Sequence, residues 1–398
     1  MDPAGLDRVD AVMRDSLGTV FPAASLLVAW RGSVILHRAY GYLDPETRQH
    51  PTQTGSLFDL ASLTKLFTTT AFMTLVEAGR VKLDTPVSDV LPEFGGVRFI
   101  GPAEDPLSKT PLPADPAFAG QAVDASQVTF WHLLTHTSGL AAWRSLYKEN
   151  GEQSPDVPLP HQVSGEKRNR RIAAIHDRYG FSFPPGQRVL YSDLGVILLG
   201  EAGARLAGTS LEAYLHRAVL DPLGLSYTTF NPLAHGVSPQ SIVPTEFCAW
   251  RRRRCVGEVH DENAASLGGV AGHAGLFSTA WEVAVLGQTY LNRGTYGDAG
   301  ILSPETVAEM TREQVNFDDN PRGLGWLQRS QGWSSSGRFF SPHSYGHTGF
   351  TGTSLWVDPM RELVVALLTN RVYYGRDPEG IAEFRPRFHD AVALAVRD

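Results

Sequence analysis

The stretch LFDLASLTKLFTTTAFMTLVEAG (Leu57–Gly79) places a lysine inside a segment whose remaining pattern predicts an apolar helix. Lys65 follows Ser62 by three residues. On an α-helix, such residues lie on one face about one turn apart, so this spacing sets a hydroxyl beside an amine. The same spacing also arises by chance, with the lysine reaching solvent and the serine simply starting the helix. The stretch alone leaves both interpretations open.

The apolar surroundings of the lysine favour a chemical role for this pair. A serine hydroxyl is a weak nucleophile at neutral pH until a base removes its proton. A lysine can be that base only if its pKa falls, and both burial and a nearby helix N-terminus act in that direction. Asp59 is a candidate N-cap just upstream. We therefore expect Lys65 to be buried next to Ser62, with a lowered pKa.

A second cluster lies in FPPGQRVLYSDLGVILLGEAG (residues 183–203), where Tyr191 directly precedes a predicted helix. The N-cap of this helix is predicted to be Ser192 or Asp193, both routine capping residues. Capping does not explain Tyr191. A phenol near an ammonium can act as a base or relay a proton, so Tyr191 is a candidate partner of Lys65.

A third cluster, YGHTGFTGTSLWVDP (residues 345–359), contains His347, Thr348 and Gly349 at the edge of the predicted C-terminal strand region. One interpretation is a glycine-rich bulge or turn. The other is an edge strand whose backbone N–H groups face a substrate, with Gly349 permitting a close approach.

Composition and charge exclude several classes of protein. The chain is 42% hydrophobic and 19% charged, a globular composition that argues against disorder. A net charge of -7 gives no reason to expect nucleic-acid binding, and the basic run Arg251–Arg254 is predicted to be a solvated hairpin tip. No apolar run approaches the roughly 20 residues that span a bilayer. Cys248 and Cys255 flank the basic run and are interpreted as free thiols, although they are near enough in sequence to bridge a short hairpin.

The order of predicted elements indicates two structural regions, as expected for 398 residues. An opening helix precedes two strands around an Arg31–Gly32 turn, and strands and a helix return at the C-terminal end. Between them, the chain is rich in loops and helices. We therefore predict an α/β domain built from residues 1–83 and 230–398, with a mainly helical domain, residues 84–229, inserted within it.

In order and spacing, the three clusters resemble the motifs of the penicillin-binding protein and class C β-lactamase superfamily of serine hydrolases. That family carries S-x-x-K at a helix start, Y-x-N or a variant in a helical domain, and K-T-G or H-T-G on an edge strand. The likeness runs from Phe21 to Arg371, and it is greatest to the penicillin-binding protein 4B-like branch with its related esterases and amidases. It implies an α/β (α+β) fold, in which helices flank an antiparallel sheet and an all-helical domain is inserted.

The resemblance also implies a role for each motif. Ser62 would be the acylated nucleophile, activated by Lys65 together with Tyr191. The backbone N–H groups of Ser62 and Phe350 would form the oxyanion hole that stabilises the transition state. No metal or organic cofactor is implied. The residues expected to line the substrate site are Asp193, His347, Thr348 and Gly349.

The sequence departs from the family pattern at two positions. Asp193 stands where the family usually has asparagine, which replaces a neutral donor and acceptor by a carboxylate that can pair with Lys65. His347 stands where K-T-G has lysine, which costs a permanent positive charge. Both departures argue against a dedicated β-lactamase.

We therefore expect a serine hydrolase that cleaves amides or esters through an acyl-enzyme. The leading hypothesis is a D,D-peptidase or amidase that acts on peptidoglycan-derived or D-amino-acid substrates. The alternative is a β-lactamase-like carboxylesterase of the family VIII type, acting on short-chain esters. A β-lactamase and an inactive binding or scaffold relative are further alternatives.

The expected partner is a small-molecule or peptide substrate, and neither nucleic-acid binding nor a membrane span is expected. Since no signal peptide is recognised, the chain is expected to be cytoplasmic, or periplasmic or secreted if a leader has been removed.

Overall fold

The computed structural model describes residues 3–149 and 157–396. Its first strands, Ala23–Trp30 and Ser33–Gly41, pair antiparallel around the predicted turn. Both turn residues have positive φ angles, 51° at Arg31 and 72° at Gly32. Two-residue turns of this kind match the right-handed twist of the flanking strands. The predicted hairpin is therefore confirmed.

The hairpin belongs to an eight-stranded antiparallel sheet that joins the two ends of the chain. Ala23–Trp30 pairs on its other side with Leu363–Thr369, so N- and C-terminal segments lie side by side. The division of the chain at residues 83/84 and 229/230 stays a prediction. From one edge to the other, the strands are Val315–Phe317, Asn320–Arg322, Leu327–Gln328, Tyr345–Thr348, Ser354–Asp358, Leu363–Thr369, Ala23–Trp30 and Ser33–Gly41.

Helices cover both faces of the sheet. Pro3–Asp15 and Glu379–Ala395 pack together over one face, and Ala280–Leu291 packs on the other. Successive strand residues alternate between the two cores, with Val365 in the first and Val364 in the second, because side chains of a strand point alternately to its two faces.

The helix Thr64–Glu77 is buried along almost its whole length and packs against Asp193–Ala207. A helix enclosed on all sides needs apolar or internally bonded side chains all round, which explains the composition of the opening stretch. The remaining α-helices of the described residues are Val87–Val90, Phe130–Leu134, Gly165–Ala173, Leu211–Leu215, Glu262–Ser266 and Pro304–Thr311. Two of them continue as π-helices, Ala174–Arg178 and His216–Leu220.

The expectation that residues 84–229 are entirely helical needs one correction, because this region also contains short strands. Val97–Phe99 pairs with Ala122–Asp124, and Ala103–Glu104 pairs with Pro111–Leu112. The second pair defines the 103–112 hairpin, whose turn is closed by the Asp105 carboxylate accepting the N–H groups that follow it. Further short strands pair elsewhere: Leu276–Ser278 with Phe58–Asp59 and Thr229–Phe230, Phe247–Cys248 with Arg253–Arg254, and Thr295–Tyr296 with Ala299–Gly300.

The basic run forms the predicted hairpin, but its tip is not fully solvated. Arg251 is buried and donates hydrogen bonds to Cys255 Sγ and to the carbonyl oxygens of Val259 and His260. The prediction of a solvated tip is therefore wrong for Arg251, whose partners come from a later segment of the chain. Cys248 and Cys255 are buried free thiols, as interpreted from the sequence.

Within residues 3–149 and 157–396, no single helix is long and apolar enough to cross a membrane. One bent pair, Asp193–Ala207 with Leu211–Leu220, meets the length and composition criteria for a span.

Candidate active site

Ser62 lies in a short 3-10 turn, Ala61–Leu63, that precedes the α-helix Thr64–Glu77. Ala61 has a φ of 46°, so the chain bends sharply before the helix begins. The buried carboxylate of Asp59 accepts the Ala61 N–H at 2.8 Å. Asp59 therefore holds this turn and does not cap the α-helix as predicted. The result is a serine fixed at the mouth of a buried helix.

Lys65 reaches back to this serine, as the S-x-x-K spacing predicts. Its Nζ donates to Ser62 Oγ at 2.8 Å and to the backbone oxygen of His273 at 3.1 Å. The side chain is 1% exposed and its Nζ lies 2.8 Å from Asp193 Oδ1. The predicted burial and the pairing with Asp193 are both present.

The pKa of Lys65, however, is raised and not lowered. Burial acts to lower it, but the electrostatic interactions and hydrogen bonds with Asp193, and with Tyr191, outweigh that effect. The expectation of a lowered pKa is therefore wrong for the free protein. The sequence shows the apolar neighbours of Lys65 along its own helix, but not the carboxylate that a distant helix N-terminus brings to it.

Tyr191 lies against this ion pair. The Lys65 ammonium is 4.7 Å from the centroid of the Tyr191 ring. Burial raises the pKa of the Tyr191 phenol, and the lowering by Lys65 and Ser62 is not enough to reverse it. The next residue, Ser192, caps the helix Asp193–Ala207 with its hydroxyl on the Gly195 N–H, which settles the predicted choice of cap.

His136 supports Tyr191 from behind and was assigned no role in the site from the sequence. Its ring centroid is 4.6 Å from that of Tyr191, and its Nδ1 accepts the Ser192 N–H at 3.1 Å. His136 has a φ of 58°, which turns the ring into this position. Its pKa is lowered well below the usual value, mainly by burial, so the ring stays neutral.

The strand Tyr345–Thr348 carries the H-T-G motif on the opposite side of Ser62. It is not an edge strand throughout, since Tyr345 and Gly346 pair with neighbours on both sides. The pairing with Leu327–Gln328 ends there, and His347 and Thr348 keep only the neighbour Ser354–Asp358. The predicted free edge therefore exists, but only at the motif itself.

Gly349 brings this strand against the serine turn. A Cβ atom at Gly349 would lie 2.0 Å from Thr353 Oγ1 and 2.6 Å from the backbone oxygen of Leu60. The hydroxyl of Thr353 donates to that same Leu60 oxygen at 2.9 Å, and Thr351 donates to the Asp59 oxygen at 2.8 Å. This contact with the serine turn sets the backbone of residues 349–350 beside Ser62, while the close approach of Gly349 to a substrate stays a prediction.

His347 contributes no positive charge to the site. Its pKa is lowered to about 3 by burial and by the charges of Lys65 and Arg322. Its Nδ1 donates to the Thr348 backbone oxygen at 2.8 Å, the tautomer expected for a neutral ring facing a carbonyl.

The buried Arg322 and Arg371 and the half-buried Arg385 supply the positive charge that the H-T-G motif lacks, and no sequence motif marks any of them. Within the described ranges, none forms an ion pair with a carboxylate. Arg322 donates to Asn320 Oδ1, Arg371 to the Phe350 oxygen, and Arg385 to the Gly349 and Thr353 oxygens. Burial lowers their pKa values, to about 10 for Arg322 and Arg371 and about 9 for Arg385, so all three remain charged at neutral pH.

All these groups meet at one cavity of about 600 Å³. Lys65 lies behind Ser62 and the other predicted site residues reach the cavity wall. The wall residues discussed above are Ser62, Tyr191, Asp193, Arg322, His347, Thr348, Gly349, Phe350, Arg371 and Arg385.

Two groups of side chains near the cavity have the composition of metal ligands. The first is Asp193, Asp261 and His273, and the second is Glu246, Cys248 and Glu262. Cationic side chains of the protein already pair with both groups, since Lys65 contacts Asp193 and Arg376 contacts Glu246 and Glu262. A divalent cation could bind at either place only by displacing these cationic side chains.

Comparison with known proteins identifies the family. The sequence profile of the family described as Beta-lactamase matches residues 9–385. The chain belongs to this family. A candidate D-alanyl-D-alanine carboxypeptidase of Salmonella agona is 31% identical over 393 residues, covering 93% of this chain and 83% of the relative. A second candidate, from Escherichia coli K12, is 30% identical over 387 residues, covering 92% and 82%.

Solved structures with low sequence identity share the fold. The octameric penicillin-binding protein homologue of Pyrococcus abyssi has a TM-score of 0.69 at 22% identity, covering 98% of this chain and 77% of its own. EstCE1, a hydrolase with promiscuous acyltransferase activity, has a TM-score of 0.67 at 23% identity, covering 96% and 98%. The predicted fold class and the assignment to the serine hydrolases of this family are confirmed.

Proposed function

We propose that this serine hydrolase is a D,D-carboxypeptidase, which cleaves the terminal residue from peptides ending in a free D-amino-acid carboxylate. The observation that carries the proposal is the set of Arg322, Arg371 and Arg385 around the H-T-G strand. A buried charge without a counter-charge is costly, and Arg322 is buried with no carboxylate partner among the described residues. A substrate carboxylate entering this cavity would supply that counter-charge. A neutral short-chain ester offers no such group. The names of the two relatives point the same way.

The proposed reaction begins with proton transfer inside the Lys65–Asp193 pair. When substrate excludes water, the neutral pair of amine and carboxylic acid becomes more favourable relative to the ion pair. The Lys65 amine then takes the Ser62 proton as Ser62 Oγ attacks the substrate carbonyl. The backbone N–H groups of Ser62 and Phe350 are proposed to stabilise the oxyanion. Proton return to the leaving amine releases the terminal residue, and water hydrolyses the acyl-enzyme.

The decisive experiment compares two substrates that differ only in charge. Turnover is measured with Nα,Nε-diacetyl-Lys-D-Ala-D-Ala and with its C-terminal amide. We expect kcat/KM for the amide to be about a hundredfold lower, the value of a charge-assisted hydrogen bond at a desolvated site. Equal values would contradict the carboxylate hypothesis. Turnover of p-nitrophenyl butyrate without turnover of either peptide would favour the alternative carboxylesterase.

A further inference from the structure

The 103–112 hairpin inserts a lysine beside the Ser62 cavity. Lys109 Nζ lies 2.5 Å from Glu262 Oε1, 5.1 Å from the centroid of the Tyr147 ring and 5.7 Å from that of Trp143. Both aromatic side chains and the Glu262 carboxylate are buried. A cation within about 6 Å of an aromatic ring centroid is attracted to the ring, and the carboxylate adds a counter-charge, so this arrangement suits an ammonium group.

This cage, formed by Trp143, Tyr147 and Glu262, is continuous with the substrate cavity. Trp143 and Glu262 line both, and Pro106 and Leu107 of the same hairpin form part of the cavity wall. The cage walls are fixed independently of the lysine. Tyr147 packs on Trp250 with ring centroids 4.9 Å apart, and Arg376 donates to Glu262 at 2.7 Å.

Lys109 is the movable member of this arrangement. Its side chain is 21% exposed, whereas that of Glu262 is 6% exposed. The 103–112 hairpin has only two paired residues on each strand. Its turn is closed by the Asp105 carboxylate and by backbone hydrogen bonds, including one from the Lys109 N–H to the Asp105 oxygen, so the Lys109 side chain is not needed. The lysine side chain can therefore leave the cage by rotation of its own bonds, with the hairpin in place.

We propose that the cage of Trp143, Tyr147 and Glu262 is a subsite for a primary ammonium group of the substrate, occupied in the free enzyme by Lys109. The inference rests on the proposed peptidase function and adds the substrate class: acyl donors with a free amine in a side chain, such as lysine or another diamino acid. A substrate ammonium replaces that of Lys109 on Glu262, so the charge of the cage is conserved. Lys109 thus competes with the ammonium group of the substrate, whereas a substrate without an amine leaves Lys109 in the cage.

The test compares Nα-acetyl-Lys-D-Ala-D-Ala, which has a free ε-amine, with its Nε-acetylated form. We expect the ratio of their kcat/KM values to favour the free amine and to rise about tenfold in Lys109→Met, in which the competitor is removed. Glu262→Gln should lower the same ratio about tenfold. Lys148→Met is the matched control. The Lys148 ammonium also lies 5.5 Å from the Tyr147 ring centroid, but it forms no ion pair with Glu262 in the described structure, so this substitution should leave the ratio unchanged.

A second readout separates this inference from the proposed function. Protection of Ser62 from a fluorophosphonate by each peptide measures binding without turnover. If neither peptide is hydrolysed but the free amine protects better, and more so in Lys109→Met, the subsite is supported while the peptidase hypothesis fails. Equal protection by the two peptides in the wild type, Lys109→Met and Glu262→Gln would overturn the subsite, whatever the turnover.

Discussion

Lys65 and Asp193 form a buried ion pair, 2.8 Å from Nζ to Oδ1, while the same amine donates to Ser62 Oγ. The carboxylate at this position distinguishes the chain from relatives with asparagine in Y-x-N. It raises the pKa of Lys65 against the effect of burial. The ion pair therefore stores the proton that must leave Lys65 before the amine can act on Ser62.

Replacing Asp193 by asparagine should change the pH profile of the reaction. In the mechanism we propose for the wild type, Lys65 passes its proton to Asp193 without releasing it to solvent. In Asp193→Asn, burial dominates and lowers the pKa of Lys65, but the amine must now lose its proton to water before it can act. We expect the acidic limb of kcat/KM to move to higher pH by about one unit or more. Superimposable profiles of the two enzymes would argue against the proton transfer.

Arg322→Gln should weaken recognition of the substrate carboxylate. We expect kcat/KM for Nα,Nε-diacetyl-Lys-D-Ala-D-Ala to fall about 10- to 100-fold, with a smaller fall for its C-terminal amide, because only the acid loses a charged partner. Arg329→Gln is the control, since Arg329 lies nearby in the chain but does not line the cavity. Parallel losses on acid and amide would assign Arg322 a purely structural role.

Gly349→Ala should damage both stability and activity. The new Cβ would meet Thr353 Oγ1 and the Leu60 oxygen, which hold the Ser62 turn in place. Overpacking of this kind costs about 1–3 kcal/mol, measurable by denaturant unfolding. Gly55→Ala, where nothing lies within 4 Å, is the matched control and should cost much less. Unchanged stability and turnover in Gly349→Ala would show that the contact between strand and turn is loose.

Stability should decline in weak acid because of buried neutral histidines. Burial lowers the pKa of His389 to about 4 from the usual 6.5. Between these values the unfolded chain binds a proton that the folded chain does not, so the free energy of unfolding falls as pH falls. This residue alone contributes a slope of about 1.4 kcal/mol per pH unit. Urea titrations at pH 7 and pH 5 should show a smaller decline in His389→Gln, and an identical decline would contradict the assignment.

Residues related by local spacing were predictable from the sequence. Ser62 and Lys65 are one helical turn apart, and Tyr191 directly precedes a helix with a capping serine, so chain geometry fixes their placement. The opening hairpin follows from its two-residue turn. The three motifs were brought together by resemblance to a family and not by any property of the separate stretches.

Relationships between distant segments were not predictable from one sequence. Arg322 lies far in sequence from Arg371 and Arg385, and none of the three belongs to a recognisable motif, yet folding brings them to one cavity wall. The raised pKa of Lys65 has the same origin, because it depends on a carboxylate 128 residues away in sequence. A single arginine or lysine in a sequence gives no sign of whether folding will provide its counter-charge.

The central claim is that Ser62, activated by Lys65, is acylated during turnover. The most direct measurement is mass spectrometry with peptide mapping after incubation with a fluorophosphonate, and separately with benzylpenicillin, in the wild type and in Ser62→Ala. We expect an adduct on Ser62 with at least one reagent and no adduct in Ser62→Ala, with the circular dichroism of the variant unchanged. Absence of any adduct on the wild type, or an adduct of equal yield in Ser62→Ala, would contradict it.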